Sequence, residues 1–327
     1  MKSTRLLFRI HYLSSPTTKY FYQLNSIQSR CLLHTSLSLM SKDMTKMNLI
    51  EEHPHVKTMS KAIIQHKQSD DYMMNHEIYS EKELNDIKIT HKKFESWHDR
   101  VAYGAVRTLR FFFDTFTGYL HPSKEIQHSH KTMTEQQWLR RFIFLESIAG
   151  VPGMVGGMSR HMKSLRTMRR DYGWIHMLLS EAENERMHLL TFLELRQPGW
   201  FFRRMVLFGQ GVFFNAFFLT YLLSPRICHR FVGFLEEEAV ITYTRCIEDL
   251  DAGKLPAWLT LSAPKIAKNY WKLSGNAMMR DILLAIRADE ATHREVNHKL
   301  ADVGPDAPNP FLIQAKQAGD PSALQEH

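Results

Sequence analysis

Asn184-Glu185-Arg186-Met187-His188 and Arg287-Ala288-Asp289-Glu290-Ala291-Thr292-His293 each contain a Glu-x-x-His. On a helix that spacing sets a carboxylate and an imidazole on one face, one turn apart. A single pair is common by chance. Two pairs, in a chain with long helical segments and further isolated carboxylates, indicate a four-helix bundle around a carboxylate-bridged pair of metal ions. In that arrangement one Glu comes from each of two helices and one Glu-x-x-His from each of the other two.

Working outward, helical apolar periodicity starts near Trp97, with almost no strand-like alternation after it. Helices are expected over 99–120, 134–160, 166–195, 200–224, 227–252 and 275–299. The breaks fall at His121-Pro122-Ser123, Arg196-Gln197-Pro198-Gly199, Ser224-Pro225 and from Gly253 to Pro264. Residues 43–95 are polar and His-rich and read as an N-terminal arm, extended or in short helices. Residues 96–300 form the helical domain, and 301–327, rich in Pro, Ala and Gln, an irregular tail.

The two remaining carboxylates come from other helices. Glu146 is the only acid in the apolar stretch from Phe142 to Ala149, where an isolated carboxylate needs a partner. The other lies in Leu235-Glu236-Glu237-Glu238-Ala239. Successive helical residues point about 100° apart, so at most one of the three faces the core squarely. Glu236 shares its phase with Ala239, Val240, Tyr243 and Ile247, the most apolar face, and is chosen over Glu238 by a narrow margin. Whether Glu237 or Glu238 shares the role stays open. Four carboxylates and two imidazoles are hard or borderline donors that suit iron or manganese, and four negative charges neutralise two divalent ions. Iron also allows dioxygen activation by one-electron steps. Tyr243, two turns beyond Glu236, is either a redox-active tyrosine or a core tyrosine with a bonded hydroxyl.

The formal charge of +8 on 327 residues suggests nucleic acid, but its distribution argues against that partner. Residues 1–42 carry Lys2, Arg5, Arg9, Lys19, Arg30 and Lys42 and no acid, while the rest of the chain is nearly balanced. An acid-free, Ser-rich, basic leader reads as a mitochondrial transit peptide. The three cysteines, Cys31, Cys228 and Cys246, fit neither a zinc motif nor a disulfide scaffold.

Met205 to Pro225 is a 21-residue stretch without formal charge, long enough to span a bilayer. A single crossing there would put Glu185 and His188 on the opposite side from everything after Pro225, and no shared metal site could form. With Arg203, Arg204, Arg226 and Arg230 as basic flanks, this helix and the one over 101–120 fit interfacial, monotopic attachment.

Together these strings resemble the signature of the mitochondrial alternative oxidases. The resemblance runs from about Ile89 to His298 and includes Trp97-His98-Asp99-Arg100-Val101, Leu145-Glu146, Val151-Pro152-Gly153-Met154-Val155 and Arg294-x-x-Asn297-His298. It implies an all-α, ferritin-like four-helix bundle with two additional membrane-surface helices. It further implies a non-haem di-iron ubiquinol oxidase on the matrix face of the mitochondrial inner membrane, passing four electrons from two quinols to dioxygen and giving water without pumping protons.

By the same resemblance the iron ligands are Glu146, Glu185, His188, Glu236, Glu290 and His293. Tyr243 takes the place of the family's redox-essential tyrosine. Arg110, Arg141, Leu145, Glu238, Ala239 and Thr242 form the quinol pocket, and Asn184, His229, Trp271 and Asp289 orient ligands. Arg110 and Arg141 could instead meet lipid phosphates. The family forms homodimers; Gly150, Gly153, Gly156 and Gly157 offer close backbone approach, with His161 and Arg166 as contacts. No cysteine lies between Cys31 and Cys228, so thiol regulation of the plant type is not expected. The alternatives are another membrane-bound di-iron enzyme acting on quinones, or a ferritin-like iron-binding protein.

Overall fold

A computed structural model describes His76, residues 78–119 and residues 133–311. The transit-peptide reading of residues 1–42, most of the arm, the break at His121-Pro122-Ser123 and the end of the tail lie outside the described residues. Among the described residues β structure is confined to one isolated bridge, Ser262–Met278.

The helices are α1 (Glu81–Asn85), α2 (Trp97–Thr117), α3 (Glu135–Thr167), α4 (Trp174–Leu195), α5 (Trp200–Leu223), α6 (Pro225–Asp251), α7 (Pro256–Leu259), α8 (Lys265–Tyr270) and α9 (Met279–Asp302). Their ends follow local chemistry. Ser96 and Thr134 cap α2 and α3 through boxes with Asp99 and Gln137. Ser224 alone separates α5 from α6, with Pro225 at the first position of the new helix. The boundary between α3 and α4 falls later than the expected 160–166. α3 continues to Thr167, and a tight turn with left-handed Met168, Tyr172 and Gly173 precedes α4, closed by Asp171 accepting the Ile175 amide at 2.7 Å.

Two antiparallel-type pairings make the bundle, α3 with α4 and α6 with α9, and α2 and α5 lie outside it against α6 and α3. Close approach is written into two glycines. A Cβ on Gly153 would sit 2.5 Å from the Leu178 carbonyl oxygen, and one on Gly233 would sit 2.4 Å from the His298 ring. The glycines of α3 therefore serve α3–α4 packing within one chain, since Gly150 and Gly157 also face α4. The expectation that they form a surface between copies is corrected: their backbones are already covered.

A second correction concerns Arg230. Arg203, Arg204 and Arg226 are exposed, but Arg230 is fully buried. It donates to Asp99 at 2.8 Å, to the His298 ring at 3.0 Å and to Asp302, joining α2, α6 and α9. Burial pushes the Asp99 carboxyl up, but amide donors from Glu95 and Ser96 and the Arg230 charge outweigh it and hold it low. Arg230→Met leaves the buried Asp99 carboxylate with its amide donors but without its counter-charge, with an expected loss of about 3–5 kcal/mol measurable by chemical denaturation.

Two helices are long and apolar enough to cross a membrane, α3 and α5. α3 is a bundle helix with over half of its apolar window buried, whereas only 11% of the α5 window is. α5 exposes Phe201, Leu207, Phe208, Val212, Leu219 and Leu222, and α2 exposes Leu109, Phe111 and Phe112. These two helices form an unusually large apolar surface.

Candidate metal centre

At the middle of the bundle, four helices turn acids inward. Glu146 of α3, Glu185 and His188 of α4 and Glu290 of α9 are buried, each with a ligand-type atom within 4.8 Å of those of the others. His188 Nδ1 lies 3.4 Å from both Glu146 and Glu185 and 3.5 Å from Glu290. His293 Nδ1 lies 2.8 Å from Glu185 and 3.8 Å from Glu290. The two imidazoles are 6.3 Å apart, so Glu185 and Glu290 each reach both. Glu236 of α6 is buried, with Glu290 and Glu185 among its neighbouring charges.

These groups lack enough partners among themselves. Glu146 Oε2, both Glu185 oxygens, Glu290 Oε2, His188 Nδ1 and His293 Nδ1 are buried without a hydrogen bond. Such convergent bare lone pairs are costly unless a cation uses them. The protonation pattern agrees. Burial pushes Glu146 up to about 8. Burial, then the neighbouring Glu290 and Glu185 charges, lift Glu236 far above the carboxylate range. Burial lowers His188, but the Glu185 carboxylate and further acceptors outweigh it and raise the imidazole. Without a cation the cluster therefore collects protons; oxygen and imidazole donors with no thiolate suit a divalent ion such as iron or manganese.

Around the cluster, Asp289 fixes one tautomer. Its Oδ2 accepts from His188 Nε2 at 2.9 Å, Trp271 Nε1 at 2.9 Å and Asn184 Nδ2 at 3.0 Å. With Nε2–H donated outward, His188 Nδ1 is left bare toward the acids. His229 stands further off. Its Nδ1–H donates to Asn297 Oδ1 at 3.1 Å, and Asn297 in turn donates to Glu181 and to the His293 carbonyl. Burial pulls His229 down to about 4 and pushes Glu181 up to about 7.

On the other side lies a cavity of about 970 Å³ between α2, α3, α5 and α6. Arg110, Arg141, Leu145, Glu238, Ala239 and Thr242 all line it, and it reaches Glu146, Glu236, Glu290 and Tyr243. Arg141 and Arg110 are buried and face this space, held by Asp114 at 2.6 and 3.2 Å; they are not placed for lipid phosphates. Arg110 also pairs with Glu238. Tyr243 donates its hydroxyl to Glu146 and stacks on Phe142 at 4.6 Å.

A model of the alternative oxidase family matches residues 79–302. The chain belongs to the alternative oxidase family. It is 58% identical over 249 residues to the mitochondrial alternative oxidase of Emericella nidulans, covering 75% of this chain and 70% of that protein. Identity to the one from Aspergillus niger is 56% over 266 residues, 80% of this chain and 73% of that protein. The Blumeria graminis protein aligns over 323 residues at 46%, 94% of this chain and 87% of that protein.

In this alternative oxidase several contributors escaped the sequence reading. Asp114 holds both cavity arginines; its spacing of four from Arg110 was the available signal. Glu237 turns away from the cluster to accept from His298 at 2.9 Å and His91 at 2.6 Å. Tyr270 accepts from Asn184 at 3.0 Å. His76 and Tyr79 reach Asp289 from the arm, and nothing in their spacing announces it. His161 and Arg166 are exposed on α3 and contact none of this machinery.

Proposed function

We propose that this alternative oxidase oxidises ubiquinol and reduces dioxygen to water at two iron ions held by Glu146, Glu185, His188, Glu236, Glu290 and His293. The observation that carries the reading is the cavity: it joins the exposed apolar face of α2 and α5 to the buried acids and to Tyr243. An apolar substrate with two polar oxygens fits such a space, and a ferritin-like iron store has no use for it.

When bound, the irons supply storage of electrons and their delivery to dioxygen. Glu185 and Glu290, each in reach of both imidazoles, would hold the irons together with Glu146, Glu236 and the two imidazoles. The protein's part is binding and proton handling. Apolar walls from α2 and α5 hold the ring and tail. Arg110 NH2 and Arg141 Nε are buried without partners and donate to a quinol oxygen as its proton leaves. Glu238, paired with Arg110, is the adjacent acceptor for that proton. Tyr243 stands between cavity and cluster, and its hydroxyl proton is directed at Glu146. Two quinols lose four electrons and four protons, and one dioxygen takes them up as two waters.

The apolar face of α2 and α5 supports attachment to one leaflet. α5 connects α4 to α6, whose acids converge on one cluster, and a crossing of α5 would part them. The relatives named mitochondrial and the acid-free leader support import into mitochondria; the proposed place there is the matrix face of the inner membrane. Met154, Met158, Met162 and Leu165 form an exposed apolar row on α3, which supports a homodimer.

Oxygen uptake by the purified protein with ubiquinol, in the presence of cyanide, tests the reading. One dioxygen per two quinols with no peroxide is expected; no uptake by protein holding two irons rejects it. The three consecutive glutamates separate by role. Glu236→Gln is expected to lower iron content, while Glu238→Gln keeps the iron and lowers quinol turnover by about 10²-fold. Equal iron loss in both contradicts the assignment.

A further inference from the structure

We infer that His76 and Tyr79, in the segment ahead of the bundle, are positioning residues of the metal site, acting through Asp289 on the His188 imidazole. The inference rests on the proposed ligand role of the cluster and adds to it a contribution from outside the four helices.

Tyr79 Oη donates to Asp289 Oδ1 at 2.6 Å, and His76 Nε2 donates to the same oxygen at 2.9 Å. Asp289 Oδ2 is occupied by His188, Asn184 and Trp271. The carboxylate is thus held at both ends, bundle donors on one oxygen and arm donors on the other. An ionised carboxylate only accepts, so both imidazoles on Asp289 present N–H to it. For His188 this leaves Nδ1 bare among Glu146, Glu185 and Glu290. Removal of the arm donors strands Oδ1 in a buried site and frees the carboxylate to turn, and the His188 ring loses its fixed reference.

The contact belongs to a longer docking. Along α9, Arg287 donates to the Leu84 carbonyl at 2.8 Å and Arg294 to the Lys88 carbonyl at 2.9 Å. At the far end, the Lys92 amide donates to Glu237 at 2.7 Å. The segment therefore follows the helix that bears Glu290 and His293. The His76 ring also packs 4.7 Å from Tyr270 and 6.2 Å from Trp271, against the wall that carries Trp271, which donates to Asp289, and Tyr270, which accepts from Asn184. Outer partners of metal-bound histidines carry much of a site's affinity.

The test uses the full chain with ferrous iron alone, added anaerobically against a competing chelator, and the Mössbauer spectrum of the loaded protein. In the His76→Leu, Tyr79→Phe double variant, iron affinity is expected to fall about 10–100-fold. One of the two iron signals should shift, while the metal-free protein should stay folded with a modest fall in melting temperature, because a buried acceptor without its donors is destabilising. His76→Gln, which keeps an N–H near the same place, should restore most of the affinity to a chain with Tyr79 intact. Unchanged affinity and spectrum in the double variant overturn the inference. So does an affinity loss that His76→Gln shares in full with His76→Leu, because bulk docking and not the donor would then be responsible. A wild-type chain that binds no iron overturns both this inference and the cluster reading; a wild type that binds iron beside variants that bind it equally well overturns this inference alone.

Discussion

Tyr243→Phe is expected to lower quinol-driven oxygen uptake by about 10²–10⁴-fold, the range for loss of a positioned proton donor, while the iron content stays at the wild-type level. The ring is held by stacking on Phe142 at 4.6 Å and Phe192 at 6.5 Å, and phenylalanine keeps those contacts. What disappears is the hydroxyl donated to Glu146. Burial pushes that phenol far above its ordinary range, and the Glu146 charge adds to the push. The tyrosine is therefore neutral at rest and holds a proton directed at a proposed ligand. Leaving Glu146 Oε1 without its donor costs about 1–3 kcal/mol, which a thermal melt would register as a modest shift. Oxygen uptake and metal analysis on the same sample separate the effects. Near-wild-type turnover would take Tyr243 off the path between cavity and cluster.

The second large effect is at Glu185. Glu185→Ala removes the carboxylate that approaches His188 at 3.4 Å and His293 at 2.8 Å. Burial pushes this carboxyl up, but the two imidazoles outweigh it and keep it ionised. It is a fixed negative charge between the two nitrogen donors. Without it the two imidazoles lose the carboxylate they share, and the loss in iron affinity is expected to exceed the about 10–100-fold typical of outer-partner variants. Iron content should fall below one per chain and uptake with it, while circular dichroism retains the helical signal, because the bundle is built on α3–α4 and α6–α9 packing. Wild-type iron content in Glu185→Ala would move the site elsewhere.

Much of this architecture is legible in the sequence because helix period ties chemistry to position. The doubled Glu-x-x-His predicts two helices facing one centre, and α4 and α9 supply them. Isolation in an apolar run marks Glu146, which lies beside Glu185, His188 and Glu290, and phase selects Glu236, which is buried near Glu290 while Glu237 turns to His298 and Glu238 to Arg110. What phase cannot report is the partner across space. The charge on Arg230 suggests a lipid-facing flank, but Asp99 lies 131 positions earlier and only the fold brings them together. The glycines of α3 read from sequence as a close approach between copies, and the structure spends that approach on α4 within one chain. His76 and Tyr79 sit in a polar segment without apolar period, so no periodic signal connects them to Asp289.

The most direct test of the central claim is stepwise reconstitution of the metal-free protein with ferrous iron, following cyanide-insensitive ubiquinol-dependent oxygen uptake at each addition. Uptake is expected to be absent without iron, to rise with loading and to stop rising at two irons per chain. Saturation at a single iron, or uptake by the metal-free chain, would contradict the claim.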